Sequence, residues 1–549
     1  MNEYPNIVWI LVDSVRSYHS EGDDRSKLPM MDRFGEHSVE FLNVVTTIMS
    51  ISAMMTSIPS YLIARNYDDF TLDNRFFVTV NEILVRHGYS TMAFFRHPHP
   101  REKFSNMLTA VPRKYWEPEL SHGTPWTNTE LRAVINNALQ DNLPRPAFLF
   151  THFTCRKDPA VSGIVEKALR DFVAAGFTYE NTIYVLCSDH GYPDPQRGYT
   201  PEGIVRMGLT HDMILTDDNI KIPLYIRYPG CNPKKISKTV SSLDIVPTLL
   251  DLAGIAIDER MEKNGYGVSL KPLIEGETEM QLNRSLFVRS DARLMFQTGR
   301  ITAIRNDNYK YLRYHDRAED AEAFYDLCND PLEGENTLHS ADIEIKNAVS
   351  EFRTEFNHQE QEAFQRQVKY TLWKFKDQAT KKLRKEEAEP KTILMTIEPH
   401  SVVYGELALA TIQKTWPESS VDLLLHGDEL TPSQKFSNLY EFKNAGGSQT
   451  FQFVERTPKE KYDLLLVFTI NPSSNAAKNL LRLSKKVCSK NIIVLDCNMN
   501  AYQRRNFWYY RMRAAVDRLQ YIRKEPRAFC NLLRDDYKIL VKRLFKRTI

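Results

Sequence analysis

Two apolar runs that each end in potential metal ligands constrain the fold of this chain more than any other feature. Thr182–Cys187 leads directly into Ser188-Asp189-His190-Gly191, and a second run, residues 6–12, leads into Asp13. Runs of this length and composition are typical of buried strands, and a glycine lets the backbone turn away after the ligands. In α/β proteins, ligands bind at the carboxyl edge of the sheet. The two runs therefore predict a site for a hard metal or zinc at this edge, with a plain capped turn as the alternative.

Residues 1–340 alternate short apolar runs with amphipathic segments, among them residues 80–86 and 163–175. This alternation is typical of a mostly parallel sheet between helices, so we predict one α/β domain over residues 1–340. Residues 341–391 differ, because they are polar with apolar residues at helical spacing and end in a charged stretch. We predict a helical linker there.

Residues 392–549 form a third region with its own strand candidates at residues 392–395, 421–425, 463–468 and 491–495. The helical pattern between them predicts a smaller, Rossmann-like α/β domain. It resembles half of a nucleotide-sugar-dependent glycosyltransferase, although it lacks a glycine-rich phosphate loop. A helper or docking domain is the alternative interpretation.

The end of the chain is basic and aromatic. From residue 501 onward it carries fourteen Lys and Arg against four Asp and Glu, whereas the net charge of the whole chain is only +2. This tail predicts contact with an anionic membrane surface or a polyanionic glycan, and a solvated helical face is the alternative. We expect no nucleic-acid partner, because no recognised binding motif accompanies the charge.

Cysteine use and hydropathy bear on the compartment. The seven cysteines include no Cys-x-x-Cys pair, and no apolar run has the length of a signal sequence or a membrane span. We therefore expect reduced thiols and a cytoplasmic protein, either free or peripheral at the inner face of the membrane.

Further short motifs occur in a fixed order along residues 4–340. They are Pro29-Met30-Met31-Asp32-Arg33-Phe34, Phe41-Leu42-Asn43, Gly88-Tyr89, Ile222-Pro223-Leu224, Asp244-Ile245-Val246-Pro247-Thr248-Leu249, Tyr309-Lys310-Tyr311 and Phe324-Tyr325-Asp326-Leu327. Together with Asp189-His190-Gly191, this set resembles the sulfatase-like branch of the alkaline phosphatase superfamily. The resemblance implies an alkaline-phosphatase-like α/β sandwich.

The family carries its nucleophile in a Cys/Ser-x-Pro-Ser-Arg pattern followed by Thr-Gly. Counting back from Thr56-Ser57 aligns Thr47 with the nucleophile and Ser50 with the motif serine, while Met49 and Ile51 replace the proline and arginine. Threonine cannot be oxidised to the aldehyde that sulfatases use, so the pattern is more similar to threonine-nucleophile phosphoethanolamine and phosphoglycerol transferases. Three neighbouring hydroxyl residues are alternative nucleophiles: Thr46, Ser50 and Ser52.

By the same resemblance, the metal ligands are Asp13, Thr47, Asp189 and His190. Sulfatases usually carry a second acid after the first strand, and Ser14 stands in its place here. We therefore expect one divalent metal per chain. Carboxylate, imidazole and alkoxide ligands suit Zn or Mn, and Ca or Mg would fit if water completed the shell.

The resemblance also implies residues around the substrate. His211 would hold an ester oxygen or protonate the leaving group, and His152 would face the substrate, with a buried core histidine as the alternative. Arg156 and Lys157 would contact an anion or else form a solvated loop pair, and Ser50 would line the same pocket.

The preferred functional interpretation is transfer of a phospho-substituent from a phosphodiester donor, through Thr47, onto a glycan or small-molecule acceptor. Three alternatives stay open. The first is a phosphodiesterase or phosphonate monoesterase, the second is a sulfatase, and the third is a non-catalytic binding protein whose motif has decayed.

Overall fold

The structure is a computed structural model of the whole chain. The residues it describes are 4–17, 28–46, 78–95, 127–140, 143–155, 160–193, 214–259, 261, 267–276, 284–290, 301–314, 321–382, 390–397, 402–426, 436–444, 451–453, 462–469, 480, 489–496 and 501–503. The chain divides into two compact units, residues 1–119 with 124–363 and residues 120–123 with 364–549. Each unit is described by itself below.

The first unit is built around a seven-stranded sheet. Its strands are β1 (Asn6–Asp13), β2 (Val39–Val45), β3 (Ser90–Phe95), β4 (Ala147–Thr154), β5 (Thr182–Cys187), β6 (Lys221–Arg227) and β7 (Lys234–Ser241). They lie in the order β3-β4-β1-β5-β6-β2-β7. The four strands from β3 to β5 are parallel, β6 is antiparallel to both of its neighbours, and β2 is parallel to β7. The predicted mostly parallel sheet is confirmed.

Helices cover this sheet because its strands are apolar on both faces. Among the described residues, the α-helices that come before the second sheet of this unit are α1 (Pro29–Gly35), α2 (Val80–Arg86), α3 (Asn128–Leu139), α4 (Val161–Ala174), α5 (Asp217–Ile220), α6 (Ile245–Leu252) and α7 (Lys271–Glu275). Val8 and Ile10 of β1 pack into one cluster with Phe34, Ile135 and Phe172 from α1, α3 and α4. On the other face, Trp9 is fully buried and its ring meets Phe150 edge-on. Burial of both faces is the usual state of parallel strands.

A smaller antiparallel sheet completes the first unit. It consists of β8 (Leu286–Ser290), β9 (Ile301–Arg305), β10 (Tyr309–Tyr314) and β11 (Glu322–Asp326), in the order β11-β10-β9-β8. One face packs on Leu215 and on Ile220, the last residue of α5. Phe352 and Phe356 of the long helix α8 (Ile343–Lys382) pack in a cluster with Tyr311 and Phe324 of this sheet.

The second unit holds another seven-stranded sheet. The elements described in this unit are β12 (Thr392–Ile397), α9 (Val402–Thr415), β13 (Ser420–His426), β14 (Leu439–Asn444), β15 (Phe451–Phe453), β16 (Tyr462–Thr469), β17 (Ser489–Asp496) and β18 (Ala501–Gln503). The strand order is β15-β14-β13-β12-β16-β17-β18, with the five central strands parallel. This is the order of a Rossmann-type sheet: successive strands are added on one side of β12 as far as β14, and then on its other side from β16 onward. Among the described residues, no helix combines the length and apolar composition that crossing a membrane requires.

Candidate metal centre

Adjacent parallel strands bring the predicted ligands together. β1 lies beside β5 in register, with Leu11 opposite Cys187, so the residues that follow both strands emerge at one edge of the sheet. Asp13, Asp189 and His190 each place one ligand atom there, and these atoms lie within 4.8 Å of one another. The three residues are up to 177 positions apart in the sequence, and the register of the strands brings them together.

Backbone hydrogen bonds orient the Asp189 carboxylate. Its Oδ1 accepts from the N–H groups of His190 at 2.9 Å and Ser14 at 3.3 Å. The other oxygen, Oδ2, lies 3.8 Å from His190 Nε2, and Asp13 Oδ1 lies 3.7 Å from the same nitrogen. One oxygen of Asp189 therefore stabilises the loop and the other faces the imidazole.

The imidazole of His190 is oriented in the same way. Its Nδ1 lies 2.6 Å from the carbonyl oxygen of Gly191, and an Nδ1–H donor there directs the Nε2 lone pair toward the two carboxylates. Donors about 2.1 Å from a common metal lie about 3 to 4 Å apart, which matches the separations between Nε2 and the carboxylates. The donor set therefore fits a divalent metal.

The loop after β1 is held against the loop after β5 by two polar side chains. Ser188 Oγ accepts from the N–H of Val15 at 3.0 Å and donates to the carbonyl of His190 at 2.7 Å. Arg16 donates from Nε to the carbonyl of Tyr192 at 2.7 Å. Ser14, between Asp13 and Val15, adopts a left-handed backbone (φ 65°), which is uncommon for a residue with a side chain and costs about 1 kcal/mol or more. The strain lies next to a ligand, where both loops over-determine the conformation.

Thr46 joins a third loop to the same centre. Its hydroxyl donates to the carbonyl of Asp189 at 2.7 Å, and only 2% of the residue is exposed. Thr46 follows β2 directly, and Thr47 is the next residue in the chain. Thr46 is an alternative nucleophile in the sequence interpretation. Its side chain is directed at the backbone of the loop after β5.

His152 lies within β4, opposite Leu11 of β1 and Phe95 of β3, and is buried. It belongs to a strand that ends at the same edge of the sheet as β1.

Cys187, at the end of β5, is fully buried, which raises the pKa of its thiol to about 12 although the indole N–H of Trp9 opposes the shift. Cys187 is therefore a protonated core thiol.

Several predicted site residues lie outside the residues that the structure describes: Thr47, Ser50, Arg156, Lys157 and His211. Most of the basic tail, residues 504–549, also lies outside them. The roles assigned to these residues stay predictions.

Sequence reasoning missed residues 218–221, at the junction of α5 and β6, whose backbone contacts the loops after β1, β2 and β5. Their signal was weak, because the contacts are made by backbone carbonyls and side-chain type carries no trace of them.

Comparison with known proteins adds the family. Residues 5–155 match the family model described as Sulfatase, and residues 207–362 match the model described as N-sulphoglucosamine sulphohydrolase, C-terminal. Both matched segments of the chain are therefore sulfatase-like, in agreement with the predicted resemblance to the sulfatase-like branch of the alkaline phosphatase superfamily. The second match ends at residue 362, next to the last residue of the first unit, Ala363.

Curated relatives of this sulfatase-like protein are sulfatases by name. It is 32% identical over 196 residues to choline-sulfatase of Rhizobium meliloti (strain 1021), covering 35% of this chain and 34% of the relative. It is 26% identical over 274 residues to arylsulfatase K of Xenopus laevis, covering 49% of this chain and 47% of the relative. The chain therefore spans about a third to a half of the length of these two relatives.

A solved structure shares the fold. That protein, described as a complex with its substrate D-glucosamine-2-N,6-O-disulfate, superposes with a TM-score of 0.52 at 14% identity, over 65% of this chain and 98% of its own. The sulfatase-like fold predicted from the motifs is confirmed. The comparisons support the sulfatase alternative better than the preferred transferase interpretation, because the named relatives are sulfatases.

Proposed function

We propose that this chain is a metal-dependent hydrolase of the sulfatase type that cleaves an anionic ester, a sulfate ester first of all. The observation that carries the proposal is the cluster of Asp13, Asp189 and His190 at the carboxyl edge of parallel strands. The names of the curated relatives support the sulfate ester as the substrate class.

The residues of the cluster fit one divalent metal. Two carboxylate oxygens and one imidazole nitrogen suit Zn or Mn, and Ca or Mg would need further oxygen donors. When bound, such an ion supplies Lewis acidity that stabilises negative charge on the ester oxygens.

The chain's own groups would do the remaining work. Asp189 and His190 are held by the backbone of Ser14 and Gly191, so the ligand atoms need little rearrangement when an ester binds. We infer that the hydroxyl of Thr47, next to the anchored Thr46, forms a bond to sulfur while the bond to the leaving alcohol breaks, and that His211 protonates the leaving oxygen. Water then displaces the sulfate from Thr47 and restores its hydroxyl. His152, Arg156, Lys157 and Ser50 are proposed to contact the substrate.

The identity of Thr47 favours a second candidate, transfer of a phospho-substituent. In that reaction the Thr47 hydroxyl forms a bond to phosphorus while the bond to the leaving alcohol breaks, and a proton passes to the leaving oxygen. An acceptor hydroxyl on a glycan or small molecule, or water, then displaces Thr47. Met49 and Ile51, in place of the family's Pro and Arg, support this candidate.

Parallel assays separate the candidates. The full chain, supplied with Zn or Mn, is assayed with an aryl sulfate, an aryl phosphodiester and an aryl phosphonate monoester, beside Thr47→Ala and Asp189→Asn. We expect aryl sulfate turnover that both substitutions abolish. Preferential turnover of a phosphorus ester, with a mass adduct that is absent in Thr47→Ala, would select the second candidate instead. Absence of both turnover and metal binding would refute both and leave a non-catalytic binding protein.

A further inference from the structure

One short segment of backbone contacts all three loops of the candidate metal centre. Residues 218–221, at the end of α5 and the start of β6, present four consecutive carbonyl oxygens to N–H groups from those loops. The hydrogen bonds run from Tyr192 N to Asp218 O (3.2 Å), from Gly191 N to Asn219 O (2.8 Å), from Thr46 N to Ile220 O (2.8 Å) and from Ser17 N to Lys221 O (3.2 Å). We call residues 218–221 the carbonyl segment.

The contact between the carbonyl segment and the loop after β5, which carries Asp189 and His190, is close. A Cβ atom placed on Gly191 would lie 2.1 Å from the carbonyl oxygen of Asp218. Such a separation is not possible for real atoms, so the residue after His190 must be glycine for the loop to reach the segment. The position of the segment and the position of the ligand pair are therefore coupled.

Buried charges from the small sheet anchor the carbonyl segment at its first turn. Asp217 precedes the segment, and its carboxylate pairs with Arg305 of β9, at 2.8 Å to Nη2, and with Lys310 of β10, at 2.9 Å to Nζ. Glu333 pairs with Lys310 through one oxygen and accepts from the N–H of Asp217 at 2.8 Å through the other. Lys310 also donates to the carbonyl of Leu215 at 3.0 Å.

Apolar packing supports the same anchor. Leu215 and Ile220, on either side of Asp217, lie in one core cluster with Val288, Ala303 and Leu312 of the small sheet. Lys310 is fully buried, so its charge persists there only because Asp217 and Glu333 compensate it. The anchor is thus a fixed point between the small sheet and the carbonyl segment.

We propose that Lys310, with Asp217 and Glu333, is a positioning residue of the metal centre, acting through the carbonyl segment on the loops that carry Asp13, Asp189 and His190. This positioning role rests on the proposed function, because that function is what gives the metal its task. It assigns the small sheet a role in the geometry of the site, whereas its packing alone indicates only a contribution to stability.

The test compares two buried cations of the same small sheet. Lys310→Met removes the charge that anchors the segment, and Arg289→Met removes a buried cation that pairs instead with Glu360 of α8 at 2.9 Å. The full chain is titrated with Zn or Mn alone by calorimetry, and hydrogen exchange is followed in peptides covering residues 13–17, 46 and 189–192. We expect Lys310→Met to weaken metal binding by about 10- to 100-fold, the usual effect of losing a group that orients a ligand.

Hydrogen exchange gives a readout that needs no metal and no substrate. We expect the three loops to exchange faster in Lys310→Met, and to keep their exchange rates and metal affinity in Arg289→Met even if both variants unfold at lower temperature. If Lys310→Met does not fold, Glu333→Gln, which keeps the side-chain shape, is measured in the same way.

The outcomes separate this proposal from the proposed function. Loops that exchange at the wild-type rate in Lys310→Met or Glu333→Gln, with metal affinity unchanged, would overturn the positioning role. A wild-type chain that binds no metal would refute the proposed function, and hydrogen exchange would then decide the coupling alone. Equal effects of Lys310→Met and Arg289→Met on the three loops would show that the anchor contributes only to general stability, and would overturn the positioning role.

Discussion

Carboxylates at opposite ends of parallel strands make different contacts in the two seven-stranded sheets of this chain. In the first unit, Asp13 and Asp189 lie at the carboxyl ends of β1 and β5, where they meet His190. In the second unit, Asp463 lies at the amino end of β16 and accepts from the backbone N–H groups of Lys391 and Thr392, both at 2.9 Å. Asp463 thus stabilises the start of strand β12, whereas Asp13 and Asp189 contribute to a candidate ligand site.

This difference teaches that the two ends of a parallel strand offer a carboxylate different partners. At the amino end, a carboxylate accepts from N–H groups that the neighbouring strand presents. At the carboxyl end, loops from several parallel strands converge, so side chains distant in sequence can share one ligand. Apolar content does not distinguish the sheets, because Ile393 and Leu394 are as completely buried as Ile7 and Val8.

The largest expected effect is on metal binding. Asp189→Asn should weaken binding of Zn or Mn by more than about 100-fold, because it changes a ligand itself while Asn Oδ1 still accepts from Ser14 and His190. Asp496→Asn, at the carboxyl end of β17 in the second sheet, is the matched control and should bind metal as the wild type does. Calorimetric titration of both variants is the measurement. An equal loss in the two would break the comparison between the sheets.

A second prediction concerns the glycines that lie close to each sheet. A Cβ on Gly191 would meet the backbone oxygen of Asp218, whereas a Cβ on Gly405 of α9 would meet the side chain of Ile397 at 2.4 Å. Gly191→Ala should lower the free energy of unfolding by about 3 kcal/mol or more, because backbone cannot give way. Gly405→Ala should change it by about 1 kcal/mol or less, since Ile397 can rotate and alanine favours the helix. Urea unfolding compares them, and similar losses would show that the first contact is adaptable.

The smallest predicted effect is on acid stability. Burial by itself would raise the pKa of Asp217, but Arg305 and Lys310 outweigh it and hold that pKa below the ordinary range. The unfolded chain then binds more protons at acid pH, so the stability that Asp217 contributes is present above its ordinary pKa and is lost as pH falls below about 4. Hydrogen bonds from the backbone of Thr392 lower the pKa of Asp463 in the same sense, at an exposed position.

Asp217→Asn should therefore flatten the acid limb of the unfolding free energy by about 2 kcal/mol, and Asp463→Asn should flatten it by less. Thermal unfolding from about pH 6 to about pH 3 measures both. A steeper acid limb in Asp217→Asn than in the wild type would contradict the direction of the shift.

Several elements could be predicted from local sequence alone. The strand at residues 182–187 has the predicted limits, the helix at 80–86 likewise, and the four strand candidates of the second unit occur with ends one to two residues longer. Period and side-chain type are local properties, so they specify these elements directly. β14, with the mixed sequence Leu-Tyr-Glu-Phe-Lys-Asn, was missed because it has no continuous apolar run. One continuous helix, residues 343–382, lies in the region where a helical linker was predicted.

By itself, the sequence determined that Asp13, Asp189 and His190 follow buried strands, and hence that they are available at a sheet edge. Only the tertiary structure decided that β1 and β5 are neighbours, which brings these residues together, and that the carbonyl segment joins their loops to Thr46. The physical reason is that pairing order and backbone hydrogen bonds depend on how distant strands pack. Carbonyl oxygens are alike in every residue, so the sequence carries no local sign of the contacts they make.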